Sequence, residues 1–236
     1  MNARQLTLDL PHRPAMGGDD FLVAPGNREA VDWIDRWPDW PDRVLAIHGP
    51  EGCGKTHLVQ VWRQISGAPV MEGRALDFAA GADVLAAGGA LAVEDCGLQL
   101  AEDGLLHLLN WTREQGGSLL LTGRTAPARW PVALPDLGSR LRALTAVALA
   151  PPDETLIAAL LVKLFADRQL RVGDEVIAYL LARIERSFAA VRDVVAAIDT
   201  LALAEGRRIT VPLARQVLAE ANGAGRSSRT RGNDLD

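Results

Sequence analysis

The sequence predicts an α/β protein with a mostly parallel sheet flanked by helices, followed by a small all-helical domain. Up to residue 150, short apolar runs alternate with helical patterns, which favours parallel strands covered on both faces. Pro151 and Pro152 then interrupt the chain, and every later apolar stripe has helical spacing. With 236 residues, of which 48% are hydrophobic, the chain can bury a core and add a second, smaller domain.

The first half of the chain supplies the elements of the α/β domain. Asn27 is the predicted N-cap of a helix over 27–37, and Pro38 ends that helix. Each predicted strand is a short apolar run bounded by turn-forming residues. The remaining predicted elements are strand 43–48, helix 55–65, strands 68–72 and 90–95, helix 102–114, and strands 118–123 and 145–150.

The second half predicts four helices, each preceded by a residue that favours a helix start. These residues are Asp153, Asp174, Ser187 and Thr210. The first twenty residues have no periodic pattern after Leu10 and contain prolines and paired glycines, which predicts a flexible arm. We therefore expect an arm over 1–20, an α/β domain over 21–151, a helical domain over 152–223 and a disordered tail over 224–236.

Composition excludes several classes of protein. A net charge of −5 argues against a protein that binds nucleic acid mainly through its overall positive charge. No apolar run approaches the length of a membrane span. The N-terminus lacks the features of a signal peptide. Cys53 and Cys96 are the only cysteines and form no disulfide framework, so we expect a cytoplasmic protein. Both lie in candidate site motifs; inert side chains are a simpler interpretation than a redox switch.

The stretch GPEGCGKT fits the phosphate-loop pattern G-x-x-x-x-G-K-[ST], between a predicted strand and a predicted helix. Such loops turn backbone N–H groups toward phosphate oxygens, so we expect bound ATP or ADP with Mg²⁺. Lys55, one of only two lysines, would reach the outer phosphates, and the Thr56 hydroxyl would bind the metal. The predicted nucleotide-binding residues here are Gly49, Pro50, Glu51, Gly52, Cys53, Gly54, Lys55, Thr56 and His57.

Polar residues end two further predicted strands. Glu94 and Asp95 follow a buried strand, where Glu94 would hold Mg²⁺ and Asp95 would orient the attacking water. A strand that ends in solvent is the alternative. Thr122 ends the strand at 118–123 and could contact the terminal phosphate, although simple turn chemistry would also place it there.

These motifs together resemble the AAA+ ATPases of the DnaA/Hda family over about residues 19–221. The order FLVAPGNREA, phosphate loop, VEDC, LLLTGRT, GSRLR and AAVRDVVAAI carries the resemblance. It implies a AAA+ core with a helical lid, an adenine pocket, an arginine finger at Arg140 that acts on a partner's nucleotide, and a lid contact from Arg192 to the chain's own nucleotide. The residues implied at the adenine pocket are Phe21, Leu22, Val23 and Asn27.

The N-terminal stretch QLTLDL resembles the sliding-clamp motif Q-x-x-L-x-[LF] found in the Hda branch of this family. Its matching residues are Gln5, Leu6, Leu8 and Leu10. Leucines on a tethered arm can anchor in a partner's hydrophobic groove, while a glutamine forms hydrogen bonds with polar groups at the edge of that groove. A strand that folds back on the chain's own sheet, or on a neighbouring copy, is the alternative.

The resemblance implies a negative regulator of DNA replication initiation that the β sliding clamp recruits and that stimulates hydrolysis of DnaA-bound ATP. DnaA and the clamp are then the partners, sequence-specific DNA binding is not expected, and a homodimer is left open. DnaA has an aspartate at the position of Glu94, and it has an acidic residue near the position where this chain has the basic Arg124. Because of these two departures, the chain's own ATP hydrolysis is expected to be weak. The alternatives are an autonomous ATPase that loads a helicase or remodels DNA, and a small-molecule phosphate-loop kinase.

Overall fold

The computed structural model describes residues 12–13, 21–86 and 88–229. The chain divides into two compact units between Pro151 and Pro152. The first unit holds the sheet and the second contains only helices among its described residues.

The first unit is built on a five-stranded parallel sheet with the strand order β4-β5-β6-β3-β7. Its strands are β3 Val44–His48, β4 Val70–Glu72, β5 Ala90–Glu94, β6 Ser118–Gly123 and β7 Ala146–Ala148. A separate antiparallel pair is formed by β1 His12–Arg13 and β2 Phe21–Leu22. The helices of this unit are α1 Arg28–Asp35, α2 Lys55–Ser66, α3 Phe78–Leu85, α4 Glu102–Gln115 and α5 Pro135–Ala143. The predicted α/β class with a parallel sheet is confirmed.

Side chains that alternate along the central strands form one hydrophobic core on each face of the sheet. Leu45, Ile47 and Leu120 pack with α1 and α2 on one face. Leu119 and Leu121 pack with α3, α4 and α5 on the other. The central strands β3, β5 and β6 are therefore apolar on both faces over most of their length, because both faces of the sheet are covered.

The sequence did not predict α3 and α5, and it placed the end of α1 at residue 37 rather than at Asp35. Helix α3 has a Gly81 whose Cβ, if present, would lie 2.8 Å from a methyl carbon of Leu108, so the small residue permits close packing of α3 on α4. Helix α1 begins at Arg28 with Asn27 at its N-cap position, as the sequence predicts, but the Asn27 side chain makes no cap hydrogen bond. The Asn27 side chain instead accepts a hydrogen bond from Ala24 N at 2.7 Å and donates one to Leu22 O at 2.9 Å.

The second unit comprises α6 Glu154–Asp167, α7 Asp174–Leu181, α8 Phe188–Glu205 and α9 Val211–Arg229. Asp153 and Ser187 are N-caps, as the sequence predicts, because their side chains accept from Leu156 N and Ala190 N. Asp174 is the first residue of α7, as the sequence predicts, and Gly173 occupies the N-cap. Helix α9 continues six residues past the predicted domain end at 223. No described helix combines the length and the apolar character needed to cross a bilayer.

The two cysteines lie in the cores on opposite faces of the sheet. Burial raises the pKa of Cys53, although the nearby Lys55 charge opposes this shift. Burial, assisted by the charges of Asp95 and Glu94, raises the pKa of Cys96 to about 12. Both thiols are therefore protonated at neutral pH, and both are free and buried, which suits inert packing side chains.

The Asp153 cap predicts a measurable loss of stability. Asp153→Ala should lower the free energy of unfolding by about 1 kcal/mol, because Leu156 N loses its acceptor. Asp153→Asn keeps an equally good cap and should cost much less. Urea denaturation followed by circular dichroism measures both variants, and equal losses would show that the cap bond is not the cause.

Cys96 predicts a pH dependence at alkaline pH. The unfolded thiol ionises near its ordinary value of 9.0, whereas the folded thiol holds its proton until about pH 12. The stability that this group contributes is therefore complete below pH 9 and falls as the pH rises toward 12, by at most about 1.4 kcal/mol per pH unit. Urea denaturation at pH 8, 9, 10 and 11 should show a steeper decline for the wild type than for Cys96→Ala. Parallel curves would contradict the prediction.

Candidate functional site

The phosphate-loop sequence forms the turn that connects β3 to α2. Two of its glycines lie in the left-handed region of the backbone map, Gly52 with φ 76° and Gly54 with φ 103°. Gly54 is also the N-cap of α2. Side chains other than hydrogen strain this conformation, so the motif glycines are required by the turn itself.

Gly49 is required by close packing rather than by its φ angle. A Cβ atom there would collide with the carbonyl oxygen of Leu149, which follows β7, and would lie 2.9 Å from the Cys53 sulfur. The Gly49 N–H donates to Gly123 O, at the end of β6, over 3.2 Å. The loop is thus fixed on both sides by the strands that flank β3.

The Lys55 ammonium closes the loop from inside. Its Nζ donates to the carbonyl oxygens of Gly49 and Pro50, both at 2.8 Å, and the residue is only 9% exposed. A buried ammonium needs such acceptors, because desolvating a charge without a partner is costly. The predicted contact of Lys55 with the outer phosphates stays a prediction.

The N-terminus of α2 adds to the positive character of this loop. Its first turn contains no acidic residue, and Thr56 is exposed there. Unpaired N–H groups and the helix dipole at such an end favour an anion. His57, the next residue, is half-buried. The residues present therefore fit a phosphate-bearing ligand.

The acidic end of β5 lies on the same sheet edge. Strand β6 separates β5 from β3, which sets their ends about 10 Å apart at the usual strand spacing. Glu94 is half-buried, and Asp95 is exposed with φ 55°, a conformation that costs energy for a residue with a side chain. Strain of this kind is concentrated at functional sites.

Thr122 joins the ends of β5 and β6. Its hydroxyl accepts a hydrogen bond from Asp95 N at 3.4 Å, its carbonyl accepts one from Cys96 N at 2.9 Å, and the residue is 1% exposed. The threonine thus fixes the turn that carries Asp95. Its predicted contact with a terminal phosphate stays a prediction.

The donor set also fits a magnesium ion. Within the described ranges, no three His, Cys, Asp or Glu side chains come together as a metal cluster. Mg²⁺ commonly takes only one or two protein ligands, with phosphates and water completing its shell. Thr56 and Glu94 supply a hydroxyl and a carboxylate suited to that role.

Three further residues lie at this sheet edge, of which the sequence analysis noted only Arg124, as a departure from DnaA. Arg124, directly after β6, forms an ion pair with Glu51 of the phosphate loop at 2.9 Å. Burial, together with the charge of Arg129, lowers the pKa of His48 at the end of β3, so its imidazole is neutral at pH 7. Trp130 covers Gly123, where a Cβ atom would lie 2.9 Å from the indole. Only the strand order brings these residues together.

The predicted adenine-pocket residues lie in β2 and in the turn that follows it before α1. Leu22 and Val23 are half-buried, and the Asn27 side chain makes its two hydrogen bonds within this turn. Asn27 therefore shapes the segment that would border a base. Of Phe21 only the backbone is described.

Arg140 lies on α5, away from the phosphate loop. It borders a small pocket with Val44, the first residue of β3, and with Arg113 of α4. The phosphate loop begins after the opposite end of β3, about 16 Å away at the usual rise of a strand. Arg140 also forms an ion pair with Asp136 at 3.3 Å.

The remaining predicted residues lie elsewhere. Arg192 is exposed on α8 of the second unit. Gln5, Leu6, Leu8 and Leu10 lie outside the described residues.

Comparisons with known proteins agree with the fold and identify the lid. Residues 153–218 match the family described as Hda, lid domain. No curated protein matches the sequence. The structure is similar to domain III of the replication initiation protein DnaA from Thermotoga maritima, with a TM-score of 0.70 and 19% identity, over 89% of this chain and 98% of that one.

Two other solved structures have the same fold. DnaA from Aquifex aeolicus bound to AMPPCP gives a TM-score of 0.60 at 18% identity, over 76% of this chain and 63% of that one. A RuvB mutant from Thermotoga maritima gives 0.64 at 16% identity, over 84% of this chain and 68% of that one. The chain thus spans less than two thirds of that longer DnaA structure. The second unit thus matches the Hda lid domain, and the chain has the fold of the solved DnaA and RuvB structures.

Proposed function

We propose that this chain binds ADP or ATP at Gly49–Thr56 and limits replication initiation by stimulating hydrolysis of the ATP bound to DnaA. One observation carries the proposal: a complete phosphate loop, closed by the buried Lys55 ammonium, occurs in a chain whose lid matches that of Hda. The Aquifex aeolicus DnaA structure holds AMPPCP, which supports an adenine nucleotide as the ligand.

The chain's own residues would bind and orient this nucleotide. Lys55 and the N–H groups at the start of α2 would hold its phosphates, and Thr56 with Glu94 would hold Mg²⁺. A bound magnesium ion neutralises phosphate charge and fixes its oxygens. Asp95, on its strained turn, would orient a water molecule. The Glu94–Asp95 pair and the basic Arg124 favour nucleotide retention over rapid turnover.

The position of Arg140 supports a role on a partner's nucleotide. It lies about 16 Å, the length of β3, from the phosphate loop of the same chain. This distance is greater than an arginine side chain can reach. Its ion pair with Asp136 has side-chain exposures of 31% and 61%, and exposed pairs of this kind are weak. Arg140 can therefore leave Asp136 for the phosphates of a DnaA molecule docked on this side. An arginine supplied in trans stabilises charge developing on the transferred phosphoryl group.

The N-terminal motif supports recruitment by the sliding clamp. Leu8 and Leu10 would anchor in a hydrophobic groove, and Gln5 would bond its polar edge. Clamp binding concentrates the protein at active replication forks, so stimulation of DnaA would follow DNA synthesis. This association would place a cytoplasmic protein at the replisome.

Arg140→Ala should abolish the stimulation of DnaA while leaving clamp and nucleotide binding unchanged. The expected loss in DnaA-bound ATP hydrolysis is about 10³-fold or more where the arginine acts as a finger. Arg142→Ala is the matched control, because Arg142 is an exposed arginine on the same helix, hydrogen-bonded to Ser139. Hydrolysis of radiolabelled ATP on DnaA, with clamp loaded on DNA, measures both. Full stimulation by Arg140→Ala would remove this residue from the role.

Replacing Gln5 and Leu8 together by Ala should abolish clamp binding and, with it, clamp-dependent stimulation of DnaA. Nucleotide affinity should not change, since the phosphate loop is intact. Thr7→Ala with Asp9→Ala alters the intervening positions of the same stretch and should bind the clamp normally. Surface plasmon resonance on immobilised clamp measures each affinity. Equal affinity of the two double variants would contradict the motif assignment.

A further inference from the structure

The strand register places Arg124 beside the phosphate loop. Strands β3 and β6 are neighbours, and their last residues, His48 and Gly123, are directly paired. Arg124 follows Gly123 just as the loop follows His48, and the Gly49 N–H donates to Gly123 O. Backbone hydrogen bonds therefore hold the two segments side by side, independently of any side-chain contact.

Arg124 uses this position to bind a carboxylate of the loop itself. Its Nη2 lies 2.9 Å from Oε2 of Glu51, and the two side chains are 52% and 79% exposed. An ion pair this open to water is screened and contributes little to stability. A competing anion of higher charge can therefore displace the Glu51 carboxylate at small cost.

We propose that Arg124 binds the phosphates of the nucleotide and that Glu51 competes with them for its guanidinium. This inference rests on the proposed nucleotide site. It makes Arg124 an additional phosphate-binding residue and Glu51 an internal competitor that weakens the affinity of the loop. The Glu51 carboxylate thus occupies the guanidinium that the phosphates of the ligand would bind.

Charge and geometry favour the exchange. Lys55 donates to backbone carbonyl oxygens, those of Gly49 and Pro50, which cannot move away from the loop. The guanidinium of Arg124 is instead paired with a side chain, Glu51, which a ligand can displace. An arginine fork suits phosphate oxygens, which present more acceptors and more charge than one carboxylate. Phosphates entering the loop would also repel Glu51.

Substitutions at the two residues should change nucleotide affinity in opposite directions. Arg124→Ala should weaken binding of ATP and ADP by about 10-fold, the loss expected for one charge-assisted hydrogen bond to phosphate. Glu51→Gln should tighten binding several-fold, because the competitor is neutral while the side-chain shape is kept. A merely structural ion pair cannot give this result, since breaking it from either side would weaken binding.

The test is calorimetric titration of the full chain with ATP and with ADP, at low and at high salt. Arg186–Glu154 in the second unit is a matched pair, also at 2.9 Å, with exposures of 59% and 63%. Arg186→Ala and Glu154→Gln should leave both affinities unchanged. Removing Arg124 should also flatten the salt dependence of binding, because one cation no longer meets the phosphates.

The outcomes separate this inference from the proposed function. Opposite shifts for Arg124→Ala and Glu51→Gln, with silent controls, support the competition. Unchanged affinity in Arg124→Ala, or weaker binding in both variants, overturns it while leaving the nucleotide site in place. A wild-type chain that binds neither nucleotide overturns the proposed function and this inference together. Thermal unfolding of each variant without nucleotide shows that the fold is retained.

Discussion

The nucleotide site depends on the Lys55 ammonium and the two loop carbonyls that accept its hydrogen bonds. This buried charge is tolerable only because Gly49 and Pro50 turn their oxygens inward. They can do so because the Gly49 N–H bonds β6 on one side, while the Leu149 carbonyl fills the space of a Cβ on the other. The sheet thus sets the shape of the loop, and β3 must be a central strand for the loop to be held from both sides.

The arrangement separates two arginines with different proposed tasks. Arg124 follows the carboxyl end of β6, beside the chain's own phosphate loop, whereas Arg140 borders the start of β3 at the other edge. Both form exposed ion pairs with side chains that phosphate can outcompete. A single parallel sheet can in this way present one arginine to its own nucleotide and another to a neighbour's.

Sequence patterns predicted those parts of the fold in which the local pattern of apolar and turn-forming residues matches the burial that the whole fold imposes. The buried strand β6 is a continuous apolar run bounded by glycines, and its predicted limits match the structure. Helix α3 was missed because it is short and rich in alanine, with a glycine in its middle, and Gly81 serves packing against Leu108. The Glu51–Arg124 pair could not be predicted, since the two residues are far apart in sequence and meet only through the strand order. The phosphate loop itself was recognisable because its backbone demands glycine at fixed positions.

The junction between β5 and β6 bears on the proposal that this chain holds a nucleotide without hydrolysing it rapidly. Thr122 is buried, and its hydroxyl accepts from Asp95 N, so its closest polar contact is the neighbouring turn. Asp95 keeps a strained, positive φ while its carboxylate faces solvent. The Asp95 N–H itself makes only a long hydrogen bond of 3.4 Å to Thr122, so a base at this exposed position is less constrained than a base on rigid secondary structure. Efficient hydrolysis needs a precisely held water, whereas stable binding needs only the phosphate contacts of the loop. A regulator that acts at its partner's nucleotide needs stable binding of its own nucleotide and does not need to hydrolyse it efficiently.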